Sequence, residues 1–301
     1  MRLTPPSNAR IEAATGSAVS ARSTIDQRDL SHLERLCLHR SDADTTAVLK
    51  TTCPALAHER RAYTLVQDHP ICAAELIAAG DCSQLHDTWL LLSDVPGLPF
   101  EDVTAVEAAQ ALADLGHMHR AFLGRSDLLT HLPRRDLPWL AEHADETVAD
   151  LLQLVSSGDL ELDEASIQAY RQRLLTSAAR RRDDPLTLVH GDFDPGNLVR
   201  LASGRFAALD WGLSHLNTPL VDLAHMAERF SPAQQHDLAE RFLCITGLSG
   251  YSPEEALTTG LVWHRAFFVR WHTRAAAKGW IAIETVKHSI EDRVEYIARG
   301  G

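Results

Sequence analysis

One β-patterned stretch interrupts the otherwise helical second half of this 301-residue chain, and it constrains the fold more than any other feature. "LTLVH" and "NLVRL" are short apolar runs flanking "GDFDPG", and "RFAALDWG" follows after the turn "ASG". Apolar and β-branched runs bounded by Gly, Pro, Asn and Asp read as short strands joined by turns. The order is strand, loop, strand, tight turn, strand, ending in an acid. A hairpin of this kind is expected to fix Asp192, Asn197 and Asp210 relative to one another. Such a loop is either a plain connection or a support that holds acids in place for chemistry.

The flanking regions divide into two patterns. Residues 9 to 52 read as extended segments, "ARIEAA", "SAVSARSTI", "LERLCLHR" and "TAVLKTT", separated by turn-like "ATGS" and "RSDADT". They predict a small antiparallel sheet. "PALAHERRAYTLVQDH" places Leu56, Tyr63 and Val66 on one helical face. "TWLLLSDVPG" reads as a buried strand running into a Pro-Gly turn, and the boundary between lobes is expected there, giving residues 1–94 and 95–301. Beyond it the spacing is helical. "TAVEAAQALADLGHMHRAFL" carries Val106, Ala109, Leu112, Leu115 and Phe122 on one face, and a helix from the N-cap Asp136 runs through Leu140, Val148, Leu151 and Val155. Further helices are expected near residues 219–230, 253–275 and 283–298, and "RRRDDP" at 180–185 reads as a solvated helix end.

The acids of the central stretch suit phosphoryl transfer. That reaction needs a divalent cation on the phosphates, a protein cation on the nucleotide and an acceptor oriented in line. Magnesium takes oxygen ligands from few protein groups, so the carboxylate of Asp210 and the amide of Asn197 make an appropriate pair. Asp192, five positions before Asn197, is left to accept the proton of a hydroxyl. Two carboxylates ~5 Å apart repel by roughly 3 kcal/mol at an effective dielectric near 20, a penalty a metal removes.

"HGDFDPGN", followed thirteen residues after Asn197 by "DWG", resembles the active-site motifs of the aminoglycoside phosphotransferase and choline kinase-like enzymes. The resemblance implies an α+β, two-lobed protein-kinase-like fold, with a small N-terminal antiparallel sheet lobe carrying one helix and a larger, mainly helical C-terminal lobe. It implies Asp192 as catalytic base or acceptor-orienting group, Asn197 and Asp210 as Mg2+ ligands, and ATP as phosphate donor, with GTP left open. It also calls for a lysine on a small-lobe strand. The chain has three lysines against twenty-six arginines, and Lys50, after "TAVL", is the only one before position 278. Its helical glutamate partner is expected to be Glu59, with Glu75, on another helical stretch, as the alternative. "LLLSDVPG" is similar to the family's interlobe hinge, so Ser93 and Val95 are the implied backbone contacts to the base. Asp222 in "TPLVDLAHM" and His190 are implied as braces of the catalytic loop. The small lobe lacks the glycine-rich GxGxxG, a departure that leaves open how the phosphates are covered.

Composition narrows the partners. A formal charge of −12 disfavours nucleic acid and anionic membranes, which need clustered Lys and Arg. The apolar runs are too short to span a bilayer, and "MRLTPPSNARIEAATG" has no apolar signal-peptide core. Five cysteines without a CxxC pair fit reduced thiols, so a cytoplasmic monomer or homodimer is expected. The stretch after "DWG" is too short for a protein-kinase activation segment, which favours a small-molecule hydroxyl acceptor such as an aminoglycoside, an amino sugar or a choline-like alcohol. Acceptor contacts are expected from Asp194, His215 and the helix holding Trp263, His264, Trp271 and His272, although core packing is the simpler reading of the tryptophans. Two other readings stand beside this one. The first is a catalytically silent nucleotide-binding protein on the same fold. The second is a metal-dependent hydrolase using His190, Asp192, Asp210, His215 and His225.

Overall fold

The computed structural model describes residues 3–27, 30–40, 43–72, 74–82, 87–100, 103–125, 127–181 and 183–300. The fold is α+β. In chain order it runs α1 (Asn8–Thr15), β1 (Ala18–Gln27), β2 (Ser31–Arg40), β3 (Ala43–Thr52), α2 (Glu59–Val66), β4 (Leu76–Asp81), β5 (Thr88–Ser93) and β6 (Leu98–Pro99). It continues with α3 (Ala105–Phe122), α4 (Leu137–Glu142), α5 (Ala144–Ser156), α6 (Glu164–Arg180), β7 (Thr187–Val189), β8 (Leu198–Arg200), β9 (Phe206–Ala208) and β10 (His215–Asn217). It ends with α7 (Leu220–Ala227), α8 (Pro232–Thr246), α9 (Pro253–Ala277) and α10 (Ile283–Arg299). Two compact units result: Met1–Asp102 with Pro195–Ser214, and Val103–Asp194 with His215–Gly301. Among the described residues, no helix is long and apolar enough to cross a membrane.

In the first unit a five-stranded sheet has the order β1-β2-β3-β5-β4, with every neighbouring pair antiparallel. Side chains alternate between faces along each strand. Leu36 and Leu38 of β2, Ala47 and Leu49 of β3, and Trp89 and Leu91 of β5 therefore share one face and pack with Ile11 of α1. The residues of opposite parity, Leu33, Val48, Lys50 and Leu92, line a cavity. α1 corrects the expectation that "ARIEAA" is extended. Its helix stops at Gly16, which adopts the left-handed conformation typical of a C-cap. β8 and β9 form a hairpin, which β6 extends to three strands.

The second unit is helical around a core that includes Tyr170, Trp263, Phe267 and Ile290. One expectation needs correction here, and two features lie beyond what the sequence pattern shows. The helix expected from Asp136 onward is two helices, α4 and α5, broken at His143, whose φ of −103° and ψ of 8° leave the helical region. α8 was not foreseen, although Ser231 and Gln234 form a capping box at its start. The β island is not one sheet: β7 pairs antiparallel with β10, Val189 opposite His215, while β8 pairs with β9.

Candidate active site

Lys50 sits on β3 with its side chain directed away from the Leu49 face, and only 3 % of it is exposed. Its Nζ lies 2.8 Å from Glu59 Oε1 and 2.6 Å from Asp210 Oδ1. Burial opposes the ammonium, but the charges of Asp210 and then Glu59 outweigh it and hold the Lys50 pKa above its ordinary value. Glu59, the first residue of α2, is itself fully buried. Burial drives its carboxyl upward, against the pull of Lys50 and the Trp211 backbone N–H. Glu75 does not lie on a helix as expected. It precedes β4 and its backbone pairs with Ser93, so the acid that meets Lys50 is Glu59.

Asp210 has φ 57° and ψ 68°, and it is the one non-glycine with positive φ among the described residues. Left-handed backbone costs an L-residue roughly 1–2 kcal/mol, so the surroundings must enforce it. Three contacts do so. The Asp210 N–H donates to Tyr63 Oη, one helical turn after Glu59 on α2. The Asp210 carboxylate accepts the Gly212 N–H at 3.3 Å. The buried Trp211 anchors the turn by donating its indole N–H to the Ala208 carbonyl at 3.4 Å. Gly212 explains the third letter of "DWG". A Cβ there would sit 3.0 Å from Asp210 Oδ1, 3.4 Å from Glu59 Oε2 and 3.5 Å from Lys50 Nζ, so any side chain would crowd the ion-pair cluster.

The Leu209 N–H donates to the Asn197 carbonyl at 2.8 Å, extending the register in which Leu198 faces Ala208. Asn197 and Asp210 therefore leave the β8–β9 hairpin at the same end. An amide and a 43 % exposed carboxylate are both oxygen donors, a set that fits a hard divalent cation. The cavity beside Lys50 and Asp210 has a volume of about 290 Å³, with Val48, Leu92, Val199 and Leu209 as apolar walls. Ser93 and Val95 also line it. The Ser93 N–H is already given to the Glu75 carbonyl at 2.9 Å, and the Asp94 N–H to the Thr46 carbonyl at 3.3 Å.

In the second unit the loop after β7 carries His190 and Asp192. Its anchor is Asp222 in the first turn of α7, fully buried. Its carboxylate accepts the His190 N–H at 2.7 Å and the Gly191 N–H at 2.9 Å, and lies 3.1 Å from His119 Nε2. Burial alone would raise the Asp222 pKa, but the His119 hydrogen bond and charge, with His190, more than offset it and leave it lowered. His190 braces the loop by accepting the Asp192 N–H on Nδ1 at 3.3 Å. Asp192 keeps a 35 % exposed side chain, with His225 Nδ1 at 3.8 Å. His119, Tyr63 and Gly212 were not singled out from sequence. Tyr63, four residues after Glu59, and Gly212, inside the motif, had local signals. His119 had none, because its partner lies 103 residues away.

The expected acceptor residues separate. His215 is buried, stacked on Trp263 and Phe267 at 5.0 and 5.4 Å, and Trp263 is core. His264 is buried against His225, whereas Asp194 is paired with Arg229 at 2.8 Å. A hydrolase using His190, Asp192, Asp210, His215 and His225 finds no support. Among the described residues, the ligand atoms that converge as a metal group would require are those of the exposed His236, Asp237 and Glu240, none of the five.

The profile of the phosphotransferase enzyme family matches residues 35–257, about three-quarters of the chain. A comparison with curated protein sequences finds no match. Among solved structures, one similar fold is a candidate aminoglycoside phosphotransferase from Ralstonia eutropha, with a TM-score of 0.70 and 13 % identity over 97 % of this chain and 96 % of that one. A spectinomycin phosphotransferase in complex with ADP and spectinomycin matches with a TM-score of 0.64 and 11 % identity, over 97 % and 96 % of the two chains. A choline kinase from Cryptosporidium parvum matches at 0.63 and 11 %, over 93 % and 88 %. At these identities the likeness establishes the protein-kinase-like fold.

Proposed function

Because the chain belongs to the phosphotransferase enzyme family, we propose that it is a cytoplasmic, magnesium- and ATP-dependent kinase acting on a hydroxyl of a small molecule. The observation that carries this reading is Lys50, buried between Glu59 and Asp210 beside an apolar cavity. A buried ammonium fixed by two carboxylates is a preorganised phosphate contact, costing no reorganisation when the nucleotide arrives. Residues 1–94 would supply most nucleotide contacts and residues 95–301 the metal ligands, base and acceptor contacts. Since the Ser93 N–H is committed to Glu75, residue 93 would meet the base through its carbonyl, and Val95 through its N–H.

Asn197 and Asp210 would hold magnesium, which neutralises charge on the phosphates. Lys50 binds the phosphates and keeps Asp210 in place. Asp192 accepts the acceptor's proton while the acceptor oxygen bonds to the γ-phosphorus. The bond from that phosphorus to the bridging oxygen breaks, and ADP leaves with the electron pair. The loop pinned by Asp222 holds the base, so Asp192 spends no motion on alignment.

The test is acceptor-dependent ADP release with ATP and, separately, GTP, across a panel of hydroxyl compounds. Asp192→Ala is expected to lower kcat by at least about 10³-fold with nucleotide affinity kept. Asp210→Ala is expected to weaken magnesium-dependent nucleotide binding as well. Equal turnover by Asp192→Ala and the parent protein removes Asp192 from the mechanism.

A further inference from the structure

The surroundings of Asp192 within the second unit are unlike a receptor for a polycation. Four carboxylates besides the base lie close enough to act on His225 or Arg293, namely Asp194, Asp222, Glu228 and Asp292. Each has a partner. Asp194 is held by Arg229 at 2.8 Å, and Glu228 by Arg265. Asp222 is consumed by the loop amides and His119, and Asp292 lies 3.2 Å from His288 Nε2. Arg293 stands over Phe268 with its Cζ 5.4 Å from the ring centre. An amine-bearing acceptor would have to displace resident guanidinium groups, exchanging one ion pair for another and losing its own hydration in the exchange.

His225, beside the base, begins an aromatic row instead. His225 lies 3.8 Å from Asp192, its ring 4.0 Å from that of His264, which is 4.8 Å from Phe268. Phe268 is in turn 5.4 Å from His272. Burial disfavours the charged form of all three imidazoles: the His225 pKa is lowered against the pull of Asp192, that of His264 lies well below its ordinary value, and that of His272 is pushed down to about 4. The half-buried rings of His225 and Phe268, backed by the buried His264, suit a ring compound with an apolar C–H face and hydroxyls at its rim.

We propose that the acceptor is an uncharged polyhydroxy ring compound, a sugar or cyclitol, seated on the row formed by His225 and Phe268, and that Arg229 and Arg265 exclude polycations by occupying Asp194 and Glu228. This rests on the phosphotransferase reading for the role of Asp192. It narrows the acceptor from the amine-bearing compounds that the sequence suggests.

Two measurements test it. The first is ATP-driven ADP release with glucose, fructose, ribose and myo-inositol against the polycation neomycin. An uncharged acceptor is expected to exceed neomycin at least tenfold in kcat/KM. The second is neomycin binding by calorimetry to the parent protein and to the double variant Arg229→Gln, Arg265→Gln, whose fold is checked by circular dichroism. Affinity is expected to rise at least tenfold in the variant, and Arg229→Lys, Arg265→Lys is expected to behave as the parent does. Neomycin turned over as well as any sugar, or bound equally by the parent and the glutamine variant, overturns the proposal. If no acceptor releases ADP, the kinase reading fails, yet the calorimetric comparison still decides whether the arginines exclude cations.

Discussion

Glu59 and Asp222 are both carboxylates sealed from solvent, yet their pKa values move in opposite directions, up for Glu59 and down for Asp222. Burial pushes each upward, and the partners decide the outcome. Asp222 faces two backbone N–H groups and an imidazole, with no competing acid on the same partners. Glu59 shares one lysine with Asp210, whose negative charge works against it. Backbone donors fix a loop permanently. A shared side-chain cation leaves a cluster poised to exchange partners, which suits the phosphate contact proposed for Lys50. The first unit thus holds Asp210 through a shared ammonium, and the second holds the Asp192 loop through backbone N–H groups given to a buried carboxylate.

The sharpest way to break that contrast is to remove the shared cation. Lys50→Met leaves Glu59 buried with no ammonium, and losing one partner of a buried pair costs about 3–5 kcal/mol. Replacing both, Lys50→Met with Glu59→Leu, removes the stranded charge and is expected to recover most of that loss in urea unfolding while nucleotide binding stays lost. If the double variant is no more stable than Lys50→Met, the cluster is not held by charge in the way described. An unchanged unfolding midpoint for the single variant would carry the same message.

Acid separates the units by sign. His272 has a folded pKa of about 4 against an ordinary 6.5, because burial and then the Arg293 charge disfavour the imidazolium. Its unfolded form binds more protons between those values. Its contribution is therefore fully present above pH 6.5 and is lost as pH falls toward 4, a swing of about 3 kcal/mol. The lowered pKa of His264 adds in the same direction. Glu59 does the opposite: its folded pKa is raised, so the folded form holds its proton more tightly and acidification favours it. Hydrogen exchange followed by mass spectrometry from pH 7 to pH 5 is expected to show the second unit losing protection before the first. In His272→Gln the loss is expected to shrink, and an identical loss would exclude His272 as the source.

How much of this was legible in the sequence follows from how local each constraint is. Asp192, Asn197 and Asp210 were readable because a loop and a hairpin hold them within nineteen positions, and phosphoryl transfer asks for those residue types in that order. Lys50 was readable because the chain is so sparing with lysine. The pairing of β7 with β10 was not, since three-residue strands carry no period and the partner lies beyond the hairpin. The paired state of Asp194 was equally hidden, because Arg229 is 35 positions away and arginine is common in this chain. α1 was misread for another reason. "ARIEAA" has the residues of a good helix former but only one apolar side chain large enough to face a core, Ile11, so no amphipathic period was visible.

α1 also supplies the smallest expected effect and the cleanest control on the first unit. Gly16 closes it with φ 69°, and its N–H donates to the Glu12 carbonyl at 2.8 Å. A Cβ at Gly16 would meet no atom within 4 Å, so Gly16→Ala introduces backbone strain and nothing else. Left-handed alanine costs about 1 kcal/mol relative to glycine. α1 packs Ile11 on the sheet face opposite Lys50, so this loss is expected in stability alone, as a slightly lower urea midpoint with nucleotide affinity unchanged. A drop in nucleotide affinity would show that the Leu49 face and the Lys50 face of the sheet are coupled, and that the first unit cannot be strained on one side without disturbing the ion-pair cluster on the other.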